Sequence, residues 1–149
     1  MPIKSFRGLI ADDSIDTISL HTNDGATGYR IVKFQIIPEK PGTATGEHTV
    51  KIFKTPQTGT PPAAIDFSDQ TMLAVAFIEN GSGVGNMQPD VIIFDNEIFN
   101  QDIYITHNDE SGTENCNYYF ELEQMKLDLN ENTVATLKDI RNIARKTPT

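Results

Sequence analysis

The chain has 149 residues, close to the commonest size of a single domain, so residues 1–149 are expected to fold as one unit around one core. Its single cysteine, Cys116, excludes an intrachain disulfide. No apolar run approaches the ~20 residues that a membrane-spanning helix needs, and the first residues lack the apolar core of a signal peptide. We therefore expect a soluble protein that is made in a cytoplasm and has no membrane partner.

The net charge of −9 is distributed unevenly. Residues 55–125 contain no Lys or Arg but hold twelve Asp and Glu residues, whereas the basic residues lie mainly near the two ends. This layout argues against nucleic acid as a partner, because binding would place uncompensated carboxylates near phosphate. Acidic loops that only keep the protein soluble are the simpler explanation of the middle. The candidate interface residues are the basic ones of the C-terminal segment, Lys138, Arg141, Arg145 and Lys146.

Three strands are predicted before residue 40, at residues 3–10, 17–22 and 29–37. A turn at Asn-Asp-Gly separates the last two, with Gly25 free to take a positive φ. The third strand alternates, and this alternation places Val32, Phe34 and Ile36 together on a buried face.

The next segments predict a continuing sheet and an irregular connection. A strand at 49–54 places Val50 and Ile52 on one face. Residues 55–65 contain three prolines and one glycine, which favours an extended connection or an arm. Residues 72–78 are apolar on both faces, which indicates a strand that is buried on both sides or covered by a neighbouring subunit. A helix is the alternative, but the glycine-rich run that follows makes the segment short for one.

Residues 90–128 are predicted to form the centre of a sheet. A first stretch at 90–106 leads through a polar loop at 107–117 to a returning strand at 118–128. In that strand Phe120 and Leu122 share a face. The parity of the apolar residues changes after Glu123, so a bulge is predicted near residues 123–124.

The last segment predicts an amphipathic helix at about 131–145. Apolar residues are spaced three positions apart at Val134, Leu137 and Ile140, as on one face of a helix. Asn130 or Asn132 can cap the first turn. The fold class is therefore predicted to be all-β, a β-sandwich of about eight strands with one C-terminal α-helix. A jelly roll is among the topologies that fit.

The residue types give no catalytic, cofactor-binding or metal motif. His21, His48 and His107 lack His-x-x-x-His spacing, so a zinc site would have to be assembled from distant loops with Cys116. Solvated loop histidines are the expectation. Cys116 lies between two asparagines and has no basic neighbour that would activate its thiol. The glycine-rich run at 81–85 lacks the Gly-Lys-Ser/Thr ending of a phosphate loop, so a hairpin tip is expected there.

Carboxylates recur in small groups. Two sets of carboxylates could contact calcium, but neither has the residue spacing of an EF-hand loop, and solvated acidic turns are expected instead. The sets are Asp12, Asp13 and Asp16, and Asp109, Glu110 and Glu114. Glu121 and Glu123 share a strand face, as a glycosidase pair could, although acidic alternation on a solvated face is the simpler interpretation. The sequence thus predicts no enzyme and no cofactor.

Several stretches resemble a family of short virion proteins encoded by marine tailed bacteriophages. They are residues 94–106 (Phe-Asp-Asn-Glu-Ile-Phe-Asn-Gln-Asp-Ile-Tyr-Ile-Thr), 117–124 (Asn-Tyr-Tyr-Phe-Glu-Leu-Glu-Gln) and 127–142 (Leu-Asp-Leu-Asn-Glu-Asn-Thr-Val-Ala-Thr-Leu-Lys-Asp-Ile-Arg-Asn). The opening, with Ser-Phe-Arg-Gly-Leu at 5–9 and Thr-Gly-Tyr-Arg-Ile at 27–31, is similar too.

The resemblance implies a non-enzymatic structural subunit of the virion. The first expectation is a capsid decoration or cement protein on the capsid exterior, which stabilises the head by self-association, with a trimer as the expected homo-oligomer, and by contact with the major capsid protein. The alternative is a fibre, spike or collar component that binds host-surface glycan.

Overall fold

The computed structural model describes residues 2–81, 88–94 and 97–128. In this part the chain forms eight strands and no helix, which confirms the predicted all-β class; the strands are β1 (Ile3–Ile10), β2 (Ser14–Ile18), β3 (Thr27–Pro38), β4 (Gly46–Phe53), β5 (Met72–Asn80), β6 (Asp90–Ile93), β7 (Ile103–Asp109) and β8 (Cys116–Lys126). These residues accordingly offer no helix with the length and hydropathy to span a bilayer. The helix predicted at about 131–145 lies outside the described residues.

The strands form two antiparallel sheets. The small sheet has the order β1-β8-β3, and the large sheet has the order β2-β7-β4-β5-β6. β8 is the middle strand of the small sheet, so the prediction of a central strand is confirmed for the second half of residues 90–128. The first half contributes two strands to the large sheet: β6 lies at its edge, whereas β7 lies between β2 and β4 and is central, as predicted.

The inner faces of the two sheets share one hydrophobic core. Phe34, Phe120 and Leu122 of the small sheet are buried, as predicted from their alternation. Val50 and Ile52 contribute to the same cluster from β4, also as predicted. This arrangement is consistent with the β-sandwich predicted from the sequence.

A bulge occurs near the predicted place, but on the neighbouring strand. β8 pairs with β1 in an unbroken register, whereas the register between β3 and β8 shifts between Ile31 and Lys33. Val32 is the extra residue, and its side chain is exposed, so its predicted burial beside Phe34 is wrong. The bulge changes the parity of β3 itself, since Ile31 before it and Phe34 after it are both buried, whereas Phe120 and Leu122 keep one parity along β8.

Several strand boundaries differ from the predictions, and two of them have a clear physical reason. β2 ends at Ile18 and does not extend to residue 22, because the amides of Leu20 and His21 donate to the Asp102 carboxylate and not to a neighbouring strand. β7 continues to Asp109, beyond the predicted start of a polar loop at residue 107. His107 and Asp109 are buried although their side chains are polar, so the polar sequence wrongly indicated a loop.

Residues 54–71 cover part of the outer face of the large sheet. The buried ammonium group of Lys51 donates to the carbonyl oxygens of Pro62 and Ala64, and the Asn108 amide donates to the Pro61 carbonyl over 2.9 Å. Both faces of β5 are thereby almost fully buried. The prediction of a doubly buried strand is confirmed, and the cover includes the chain's own proline-rich segment. We call residues 54–71 the strap.

Candidate functional site

Three side chains that can ligate a metal ion meet between the two sheets. They are His48 on β4, His107 on β7 and Cys116 at the start of β8, and all three are fully buried. One ligand atom from each lies within 4.8 Å of the others. The expectation of solvated loop histidines is therefore wrong for His48 and His107.

The strand register explains how these distant residues converge. In the β4–β7 pair Val50 faces His107 and His48 faces Asp109, so both histidines lie on the inner face of the large sheet. Cys116 has the same parity along β8 as the buried Phe120, which places it on the inner face of the small sheet. The trio thus bridges the two layers of the core.

The histidines form a directed hydrogen-bond chain. His107 Nδ1 lies 3.0 Å from the Ala11 carbonyl oxygen, and because a carbonyl only accepts, Nδ1 carries the proton. With the His107 proton on Nδ1, His107 Nε2 accepts from His48 Nδ1–H over 2.9 Å. The ring planes differ by 16° and the centroids are 5.1 Å apart, as for two rings that meet edge to edge through this bond.

The chain of hydrogen bonds ends at His48 Nε2. This atom is buried and has no hydrogen-bond partner among the described residues. In the neutral tautomer that the network requires, Nε2 carries a bare lone pair inside the protein. A buried polar atom without a partner is uncommon and calls for a physical explanation.

Burial also controls the protonation of the trio. Burial lowers the pKa of His48, although the Asp109 carboxylate opposes this shift, so the imidazole is neutral at neutral pH. Burial raises the pKa of the Cys116 thiol to about 12, and Asp109 adds to the rise. The thiol is therefore protonated and unreactive without a cation beside it, in line with the absence of a basic neighbour in the sequence.

Asp109 connects the trio to the surrounding loops. Its Oδ1 accepts from the Glu47 amide and its Oδ2 from the Glu114 amide, each over 2.9 Å, and its own amide donates to Asp12 over 2.7 Å. Asp109 is thus a buried carboxylate that fixes the backbone amides around it. The expectation of a solvated acidic turn is wrong for this residue.

The other candidates lie apart from the trio. His21 is exposed and contacts Asp102 at 2.7 Å, as expected for a solvated loop histidine. Glu121 and Glu123 lie on the outer face of the small sheet, where Glu121 accepts from the Tyr119 hydroxyl and Glu123 pairs with Arg30. Residues 82–85 of the glycine-rich run lie outside the described residues, as do the four basic candidates Lys138, Arg141, Arg145 and Lys146.

The outer face of the small sheet carries a shallow depression of ≈ 490 Å³. Leu9 on β1 and Ile37 on β3 flank Asn117 of β8, and Tyr119 lies next along the same face. Two strand spacings separate Leu9 from Ile37, which is roughly 10 Å. This face combines exposed apolar side chains with hydrogen-bonding groups.

Comparison with known proteins finds distant similarity among solved structures. No protein-family model matches the chain, and no curated protein matches it. Among solved structures, the chain is similar to a protein described by the words "Bacillus endospore appendages form a novel family of disulfide-linked pili", with 12% sequence identity and a TM-score of 0.34. The similarity covers 85% of this chain and 89% of the other. At that level it carries no argument about fold or function.

Proposed function

We propose that this chain is a non-enzymatic structural subunit of a bacteriophage virion, a decoration or cement protein on the capsid exterior. It stabilises the head by self-association, as a trimer, and by contact with the major capsid protein. We also propose that its fold is a jelly-roll-like β-sandwich completed by a helix at about 131–145. The resemblance of residues 94–106, 117–124 and 127–142 to marine phage virion proteins motivates the proposal.

The observation that carries this proposal is the apolar character of the two outer strands of the small sheet. Exposed large apolar side chains lie on β1 and β3, and the exposed fraction is 48% for Leu9 and 60% for Ile37; the set is Ile3, Leu9, Val32 and Ile37. A subunit that packs against neighbours uses such side chains at the centre of its interface.

The edge of β1 supports the same conclusion. Within residues 2–81, 88–94 and 97–128, β1 has a strand neighbour on one side only, which is β8. An eight-residue edge strand with unpaired backbone groups is a surface on which another chain can add a strand. A second copy of this chain or the shell protein is the partner that the proposal assigns to it.

A fibre, spike or collar subunit that binds host glycan is the second candidate. Tyr119 favours it, because this partly exposed ring lines the depression beside Arg7 and Gln35. An aromatic face flanked by hydrogen-bonding side chains is a surface on which a sugar ring can pack.

The test compares assembly with stability. Wild-type protein is examined by sedimentation velocity and by co-sedimentation with shells of the major capsid protein from the same phage. We expect an oligomer that saturates the shells at a fixed ratio. Leu9→Asp combined with Ile37→Asp should weaken shell binding at least tenfold, since each buried side chain of this size contributes about 1.5–3 kcal/mol.

Ile92→Asp is the matched control, because Ile92 is similarly exposed but lies on β6 of the large sheet. It should leave both assembly and melting temperature unchanged. The decoration role would be refuted if the wild-type chain stayed monomeric at every concentration and did not bind the shells. Binding to a glycan panel that is lost in Tyr119→Ala would then establish the second candidate.

A further inference from the structure

We propose that His48, His107 and Cys116 form a binding site for one transition-metal ion of the zinc or copper(I) type. The site is independent of the virion role, because it rests on the buried trio and not on the outer surface. A bound ion would tie β4 and β7 of the large sheet to β8 of the small sheet.

The ligand chemistry selects the class of ion. Two imidazole nitrogens and one thiolate sulfur suit zinc and copper(I), whereas calcium and magnesium require oxygen ligands. The neighbouring Asp109 carboxylate already accepts two backbone amides, so we do not count it among the ligands. The site therefore has two nitrogen ligands and one sulfur ligand from the protein.

The distances fit an ion after small shifts of the three side chains. Two nitrogens bound at 2.0–2.1 Å to a tetrahedral ion lie about 3.3 Å apart. His48 Nδ1 and His107 Nε2 are 2.9 Å apart, joined by a single proton that an ion would replace. One nitrogen of each histidine and the Cys116 sulfur lie within 4.8 Å of one another. Because sulfur and nitrogen bound to one tetrahedral zinc ion lie roughly 3.6 Å apart, an approach of up to about 1 Å brings the sulfur into the site.

The second shell is also in place. Histidines that ligate metals usually donate their other ring N–H to a carbonyl or carboxylate, which fixes the tautomer. His107 Nδ1 already donates to the Ala11 carbonyl. When His48 binds through Nδ1, its proton moves to the unpartnered Nε2. A Cβ atom on Gly46 would lie 2.6 Å from this Nε2 and 3.2 Å from Asp109 Oδ2. The nitrogen and the carboxylate oxygen therefore border the same small space beside Gly46.

The proton balance of binding is simple. The Sγ–H bond of Cys116 breaks, both of its electrons remain on sulfur, and an Sγ–metal bond forms. The thiol proton leaves to the solvent, while the proton of His48 only changes nitrogen. Neither an oxidant nor a reductant is needed, and one proton is released per ion at neutral pH.

The decisive experiment is a titration of the metal-free full-length chain with Co²⁺, then with Zn²⁺. We expect one Co²⁺ per chain with a thiolate-to-cobalt charge-transfer band that Zn²⁺ abolishes, and release of one proton. The melting temperature should rise by roughly 5–10 °C when free Zn²⁺ reaches 100 times its Kd. A parallel titration with Cu⁺ under reducing conditions shows which of the two ions binds more tightly.

Variants locate the site. Cys116→Ser should abolish the charge-transfer band, and His107→Gln should weaken binding of Zn²⁺ at least tenfold. His21→Gln is the matched control, because His21 is exposed and lies apart from the trio. If the core variants fail to fold, the cobalt spectrum and proton release of the wild type still decide. The proposal is overturned if none of the three ions binds at one per chain, if binding persists in a folded Cys116→Ser protein, or if His21→Gln loses it.

Discussion

At the residue scale, Asp102 shows how one carboxylate can organise a loop. Its Oδ1 accepts from the amides of Leu20 and His21 over 2.8 and 3.0 Å and contacts His21 Nδ1 at 2.7 Å. Burial raises the pKa of Asp102, but the hydrogen bonds from His21 and Leu20 outweigh it and hold the pKa below the ordinary value of 3.8. The ionised carboxylate therefore stabilises the folded chain.

Asp102→Asn should lower the free energy of unfolding by about 1–3 kcal/mol at pH 7. Because the folded pKa lies below the unfolded one, this stabilisation is present above pH 3.8 and is lost as the pH falls through the folded value. Urea unfolding from pH 7 to pH 2.5 should show the difference between wild type and variant shrinking below pH 3.8. Asp90→Asn, at an exposed position on β6, is the control and should change little. A constant difference at all pH values would contradict this role.

The residues of the candidate site carried a partial signal in the sequence. His48 shares the parity of the buried Val50 and Ile52, and Cys116 shares the parity of Phe120, so their burial could be inferred from period-2 alternation. Their meeting could not, because it depends on which strands pair and in what register. Pairing across 59 residues between His48 and His107 is a property of the assembled sheet.

At the element scale, the strap too could be predicted only in part from the sequence. Its proline content predicted an extended segment, and the apolar character of residues 72–78 predicted a covered strand, but no local pattern linked the two. The link is Lys51, whose ammonium group is buried and held by the Pro62 and Ala64 carbonyls. The aliphatic stem of a lysine can lie on apolar surface while its charged end meets carbonyl oxygens.

Lys51→Met should loosen the strap while preserving the strands. The variant keeps the apolar stem but removes the donor to two carbonyls, which should cost roughly 1–3 kcal/mol. Limited proteolysis should then cut within residues 54–71 several times faster than in the wild type, with cleavage sites located by mass spectrometry. Lys33→Met, on the outer face of β3, is the matched control and should keep the wild-type rate. Equal cleavage of all three proteins would show that Lys51 does not fasten the strap.

At the scale of the whole molecule, the small sheet is assembled from the two ends of the described chain. β8 pairs with β1 on one side and with β3 on the other, so Ile10 faces Cys116 and Phe34 faces Phe120. The all-β class and about eight strands followed from alternation and turn signals. The strand order did not, since many orders satisfy the same local pattern, and pairings of such long separation depend on global packing.

The charge layout belongs to this scale too, because it concerns contacts between molecules. Residues 55–125 lack Lys and Arg, and the exposed carboxylates Glu79, Asp90 and Glu110 lie within them. The basic residues Lys138, Arg141, Arg145 and Lys146 are predicted to contact such an acidic surface on a neighbouring copy or on the shell. One exposed pair contributes only about 0–1 kcal/mol, but a symmetric assembly repeats each pair, and attachment at several points multiplies weak contacts.

Arg141→Glu combined with Arg145→Glu should therefore weaken assembly or capsid occupancy, measured by sedimentation and by binding to shells. The loss should be greatest at low salt, where exposed charges attract most strongly. Lys40→Glu with Lys126→Glu changes the net charge equally at two other exposed positions and should leave occupancy unchanged.

The competing explanation is that the four basic residues only complement the dipole of their own predicted helix, which stabilises that helix locally. Unchanged occupancy together with a lowered melting temperature would favour the dipole and exclude the interface, because a residue that acts only on its own helix affects stability and not association.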